Sequence, residues 1–231
     1  MTPKKPIGTD QPGPDDENAP RPCPEYPASE DDAPIVEEPA QVYQMTKYIS
    51  IPEYLEMEDA ADIKHEYYKG EIFAMSGAKW SHNIIVRNLL IGLGIRLKGS
   101  PCQPLGSDQR IHIPANTLFT YPDISVFCGK PESLENDQMN ALNPSVLVEV
   151  LSRSTRSYDK GAKFKLYRDI PTFKEYLLVD SERIYAAVHT RSADGRWSLQ
   201  EYHDPAGNLS LETLGLQIPL SEIYEGSGLL P

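Results

Sequence analysis

The chain is poor in cysteine, in long apolar runs and in positive charge, and each shortage removes a class of function. Only Cys23, Cys102 and Cys128 occur in 231 residues. Their positions follow no metal-ligand spacing, so neither a zinc module nor a disulfide scaffold is indicated, and the expectation is reduced thiols in a cytoplasmic protein. No apolar stretch approaches the roughly 18 residues that cross a bilayer. Near Met1 stand proline and acid where a secretory signal is apolar. Lys and Arg number 22 against 34 Asp and Glu, a net charge of −12. That balance disfavours tight, nonspecific binding to a polyanion. It still admits an enzyme that meets phosphate through bound cations and a local basic cluster, for which Arg153, Arg156, Lys160, Lys163, Lys165 and Arg168 are the candidates.

The charge is unevenly spread. Residues 1–46 hold ten of the 21 prolines and ten acidic residues against Lys4, Lys5 and Arg21, a balance of −7 that leaves −5 for the rest. Such a segment buries too little apolar surface to offset the entropy of ordering, and it reads as a disordered tail ahead of a domain spanning residues 47–231.

Two strand signals dominate that domain. Ile124, Val126, Phe127 and Cys128 follow Pro122-Asp123, and Val146-Leu-Val-Glu-Val-Leu151 is apolar at every position but one. A continuous apolar run of this length reads as a strand covered on both faces. Glu149 in its middle therefore needs explaining, because a carboxylate out of water must be protonated, paired or bound to a cation. A helix beginning near Ser157 carries Asp159, Lys163 and Tyr167 at successive i, i+4 positions, hence on one face.

Proline-aspartate followed by an apolar strand with an acid resembles the PD-(D/E)XK arrangement of restriction-endonuclease-like nucleases. The string Glu149, Ser152, Ser154-Thr155, Asp159, Lys163, Tyr167, Pro171, Glu175-Tyr176 and Val179-Asp180 is similar to the Uma-type family of "putative restriction endonucleases" in that superfamily. The likeness runs over roughly residues 47–225 and concentrates in 121–180. It implies a central mixed α/β sheet flanked by helices, a DNA substrate and a homodimer. Leu151 stands where the superfamily places its lysine, and the family supplies that lysine from the next helix, which maps the role onto Lys163.

The rest of the chain supplies supporting elements. Ser50-Ile-Pro-Glu53 opens a short helix, and Lys69-Gly70 reads as a hairpin turn. Apolar residues at 84, 85, 89, 93 and 97, widened by Ile91 and Ile95, follow helical spacing from an expected cap at Ser81 to Gly99. Residues 107–113 read as a strand and 129–144 as an acidic connection. Phe173 to Val179 reads as a further strand, and Ile184 to Thr190, Trp197 to His203 and Leu209 to Leu211 suggest an antiparallel closing meander. Glu66, His82, Asp108, Ser152 and Asp159 are secondary candidates. Four have a plain alternative: a surface strand residue for Glu66, a local hydrogen bond for His82, an ordinary strand ion pair for Asp108, and a surface helical pair with Lys163 for Asp159.

The chemistry these residues suit is phosphodiester hydrolysis. Asp123, Glu149 and the Val150 carbonyl offer hard oxygens for Mg2+, with Mn2+ as a substitute, and Lys163 offers a positive charge. Two other readings stay open: an inactive nuclease-fold module that binds nucleic acid or a protein, and a metal-free carboxylate-pair glycosidase, which leaves Lys163 without a task.

Overall fold

The computed structural model describes residues 48–135 and 137–230. The expected disordered tail, and Cys23 within it, lie outside the described residues. In chain order the elements are α1 (Ile51–Ala60), β1 (His65–Tyr68), β2 (Glu71–Ala74), α2 (Trp80–Arg96), β3 (Cys102–Gly106), β4 (Arg110–Ile113), β5 (Leu118–Thr120), β6 (Ile124–Cys128), β7 (Ser133–Leu134), β8 (Asp137–Ala141) and β9 (Val146–Leu151). The helix that follows, α3, runs Arg156–Tyr158, then a π-helical turn Asp159–Lys163, then Phe164–Tyr167. After it come β10 (Glu175–Asp180), β11 (Ala186–Arg191), β12 (Trp197–Tyr202), β13 (Asn208–Leu211), β14 (Leu216–Pro219) and α4 (Leu220–Ile223).

Mixed sheets flanked by helices make up this α/β fold. The sequence suggests one central sheet, whereas two six-stranded sheets form, ordered β12-β11-β10-β9-β6-β3 and β2-β1-β5-β4-β8-β7, beside the pair β13-β14. In the first sheet β9 and β10 are parallel, and α3 lies in the crossover between them. Alternation along β9 decides which layer each residue meets. Val146, Val148 and Val150 pack with Ile85, Leu89 and Leu93 of α2. Leu147 and Leu151 pack on the opposite face with Tyr167 of α3 and with Ile111 and Ile113 of the second sheet. Glu149 shares the parity of Leu147 and so faces α3.

Local chemistry fixes several boundaries. Ser50 and Glu53 form a capping box that closes two donors at the start of α1. Lys69 and Gly70 both take positive φ (49° and 90°), the conformation a two-residue hairpin turn requires. Glu58, at the other end of α1, accepts from the His65 backbone amide at 2.9 Å and from Tyr121 Oη at 2.7 Å, tying α1 and β1 to the residue just before Pro122-Asp123.

Four sequence expectations need correction. Helix α2 starts from Lys79, without a side-chain cap, so Ser81 lies inside its first turn. Ile91 and Ile95 are 54% and 70% exposed and do not widen the core face. Residues 129–144 are no plain connection, for the short strands β7 and β8 lie there; their polar, loop-like composition hides edge pairing. Cys102 and Cys128 form a disulfide rather than free thiols. Their separation of 26 residues gave no signal, but β3 and β6 pair antiparallel in a register that sets the two opposite each other. The bridge removes the cysteine argument for a reducing compartment. Among the described residues, no helix is long and apolar enough to cross a membrane.

Candidate active site

The register of β6 on β9 pairs Ile124 with Val148, so the next residue outward, Asp123 just before β6, comes opposite Glu149 in the middle of β9. Both line one cleft of about 640 Å³, together with Glu66, His82, Val150, Ser152, Asp159 and Lys163. The three residues expected to carry catalysis thus share one opening to solvent.

At its floor the cleft is a charge cluster built around one ammonium. Lys163 Nζ lies 2.9 Å from Glu149 Oε1, 3.1 Å from Glu66 Oε1 and 3.8 Å from Asp159 Oδ1. All four side chains are buried. Tyr167 Oη donates to Glu149 Oε1 at 2.7 Å, and Thr120 Oγ1 donates to Glu66 Oε1 at 2.5 Å. The π-helical turn runs from Asp159 to Lys163; such turns often occur at functional sites.

Burial sets the protonation. Desolvation pushes the Glu149 carboxyl up to about 8, against the pull of Lys163 and the Tyr167 hydroxyl, with the charges of Asp159 and Asp123 adding to the rise. It likewise lifts Asp159 to about 6. For Lys163, burial opposes the charge, yet Glu149 and Glu66 outweigh it and hold the amine well above its ordinary value. Three buried carboxylates around one ammonium leave the site short of positive charge, and a proton or a cation makes up the difference.

Asp123 closes the upper rim. Its Oδ2 accepts from the Val150 amide at 2.7 Å and lies 3.3 Å from His82 Nε2. Burial lowers the His82 ring, but the hydrogen bond and charge of Asp123 win, and its pKa rises. The opposite trend, expected from the helix dipole, is overridden because a carboxylate in contact acts at shorter range than the dipole. His82 Nδ1 is buried with no hydrogen-bond partner among the described residues.

The oxygens suit a hard divalent cation. Among the described residues, the Lys163 and Tyr167 contacts fall on Glu149 Oε1 rather than Oε2, and those of the Val150 amide and His82 on Asp123 Oδ2 rather than Oδ1. Among the described residues, no three His, Cys, Asp or Glu converge as a preformed cage. Val150, whose carbonyl is the expected third oxygen, lines the same cleft.

Secondary candidates divide. Glu66 is buried against Lys163, so the surface-strand alternative is wrong. Ser152 Oγ lies within 3.1 Å of Ser154 Oγ and 3.0 Å of Thr155 Oγ1 and accepts from the Thr155 amide, fixing the turn into α3. Asp108 stands away from the cleft lining, its side chain 99% exposed and paired with Lys64 rather than Arg110. Arg110 is buried and donates to Asn140 and Tyr121. The expected basic cluster also scatters. Arg153 and Lys163 line the cleft, whereas Arg156 is held by Asp180 and Glu182, and Lys160 sits over the Tyr185 ring. Lys64, Lys79, Thr120 and Tyr158 were not legible as site residues, since they arrive from distant segments with no motif of their own.

A family model described as "Putative restriction endonuclease" (Uma2) matches residues 51–221, which include every residue of this cluster. The chain belongs to the Uma2 family. Two uncharacterized proteins of Synechocystis sp., slr1290 and sll1609, are each 36% identical to it, over 77% and 69% of this chain and 92% and 90% of their own lengths. A crystal structure titled as a putative nuclease belonging to DUF820, from Anabaena variabilis, superposes with a TM-score of 0.61 at 18% identity, over 76% of this chain and 97% of that one. At that identity the likeness establishes a shared fold, and the Uma2 assignment agrees with it.

Proposed function

We propose that this protein is an Mg2+-dependent endonuclease that hydrolyses phosphodiester bonds in DNA, with Asp123, Glu149 and Lys163 as its catalytic residues. The observation that carries this reading is the bridge from Lys163 to Glu149 on the wall of an open cleft that Asp123 also lines. Family membership supports the reaction class.

Asp123 and Glu149 would hold the cation, with Mn2+ able to replace Mg2+. Bound there, Mg2+ supplies a water of lowered pKa and neutralises charge on the phosphate. Lys163, kept protonated by Glu149 and Glu66, places a fixed positive charge beside the phosphate oxygen on which negative charge grows. Tyr167 holds Glu149 by its hydroxyl, and Asp159 keeps the lysine in place from its own helix. Arg153, Lys64 and Lys79 on the cleft lining would meet flanking phosphates. Cutting both strands would take two subunits acting as a homodimer.

The test is cleavage of plasmid and oligonucleotide DNA. Activity is expected with Mg2+ or Mn2+, and its loss in chelator and in Asp123→Ala, Glu149→Ala and Lys163→Ala. A wild-type protein that leaves DNA and RNA intact across these conditions overturns the reading. The alternative, an inactive nuclease-fold module binding nucleic acid or a protein, draws on the same geometry, for Lys163 is already neutralised by two carboxylates.

A further inference from the structure

Trp80 is 87% exposed at the first position of α2. A large aromatic ring left in water is an unusual surface feature, and its neighbours give it a context. Trp80, Ala78, Asn83, Ile84 and Arg87 line a hollow of about 360 Å³. Ala78 and Asn83 line the catalytic cleft as well, so the hollow opens directly beside it. Arg87 brings a guanidinium whose Nε and Nη2 both donate to Asn88 Oδ1, at 3.2 and 2.9 Å, which fixes its plane. Among the described residues, no carboxylate pairs with it. Ile91 and Ile95, also exposed on α2, lie roughly 16 and 22 Å further along the helix, beyond Arg87, so the indole is not simply the end of their patch.

An indole, a planar guanidinium, an aliphatic wall and a side-chain amide beside a phosphodiester cleft form the chemistry that receives a nucleobase. The π-face of any base stacks on an aromatic ring, a guanidinium adds cation–π attraction, and an amide can pair with a base edge. We propose that the Trp80–Arg87 hollow is a stacking site for an unpaired base of the substrate strand, one next to the phosphate held in the cleft. This rests on the nuclease reading above and adds to it that the enzyme engages single-stranded or locally opened DNA.

The chain has two tryptophans, so a Trp197→Phe background isolates Trp80 as the fluorophore. Short single-stranded oligodeoxythymidine, added in chelator so that nothing is cut, is expected to quench Trp80 emission, and a blunt duplex to quench it far less. Trp80→Ala should weaken oligonucleotide binding roughly tenfold or more and raise the KM for cleavage with kcat nearly unchanged, while Trp80→Phe retains most of the affinity. Thermal melts of these surface variants should match the parent. Cleavage by the wild type without quenching, and with an unaltered KM in Trp80→Ala, overturns the stacking site and leaves the nuclease reading standing. Quenching without cleavage does the reverse. If Trp80→Ala instead dissociates a dimer seen by sedimentation, the hollow belongs to a second copy and the proposal falls.

Discussion

Lys163 Nζ lies 2.9 Å from Glu149 Oε1, an ammonium from the helix after β9 meeting a carboxylate from the middle of β9. With Glu66 at 3.1 Å on its other side, this amine holds two strands and a helix together and supplies the site's one buried cation among the described residues.

Removing that amine should therefore affect stability and activity separately. Lys163→Met keeps the length and apolar stem but leaves Glu149 and Glu66 uncompensated. Breaking such a buried pair from one side costs about 3 to 5 kcal/mol. The loss should show in urea denaturation at pH 8 and shrink at pH 5, where the carboxyls take up protons. Cleavage should fall by roughly 100- to 1000-fold, as for other lost electrostatic donors.

The raised Glu149 carboxyl predicts a sign for the pH dependence. Between its ordinary value of 4.5 and about 8, the folded protein carries a proton there that the unfolded chain has released. Stability should then fall as pH rises through that window, by up to about 1.4 kcal/mol per pH unit. Lys163, held above its ordinary value, stays charged throughout and adds no slope. Glu149→Gln should reduce the slope measured by thermal melts, most clearly above about pH 6 where Asp159 is already ionised, and so should saturating Mg2+, which replaces the proton as the neutralising charge. A flat wild-type profile without Mg2+ would refute this assignment.

Cation binding should depend on the rim as well as the floor. Isothermal titration with Mn2+ is expected to show binding to the wild type and its loss in Asp123→Ala. Asp123→Asn, which keeps an oxygen for the Val150 amide, should also lose the ion while sparing most of the fold. Asp123→Ala leaves that amide without its acceptor, at about 1 to 3 kcal/mol.

The Cys102–Cys128 bridge should be visible in bulk stability. Closing a loop of 26 residues is worth about 3.5 kcal/mol in the loop-entropy account. Dithiothreitol, or Cys128→Ser, should lower the melting temperature by several degrees, and the double serine variant should not respond to reductant. An unchanged melt would mean the bridge adds little.

Where local chemistry acts, the amino-acid order was enough. The helix start at Ser50-Ile-Pro-Glu53, the Lys69-Gly70 turn, the apolar run of β9 and the i, i+4 march of Asp159, Lys163 and Tyr167 each depend on neighbours a few residues apart. Glu149, an acid in an apolar strand, announced a buried charge that needs a partner for the same reason. What arrives over long range was not legible. Glu66 looks like a solvent-facing strand residue until β5 and α3 close over it, and His82 receives Asp123 only because the first turn of α2 reaches the end of β6. The cysteines are joined by a strand register, and the exposure of Ile91 and Ile95 follows from which face of α2 the sheet covers. The sequence by itself determined the elements and the acid that had to be neutralised, because propensity, capping and burial of an apolar strand are local or one-dimensional properties. Which groups neutralise that acid, and which face the cleft, was decided by the tertiary structure, since pairing register and sheet closure bring together residues that no spacing rule connects.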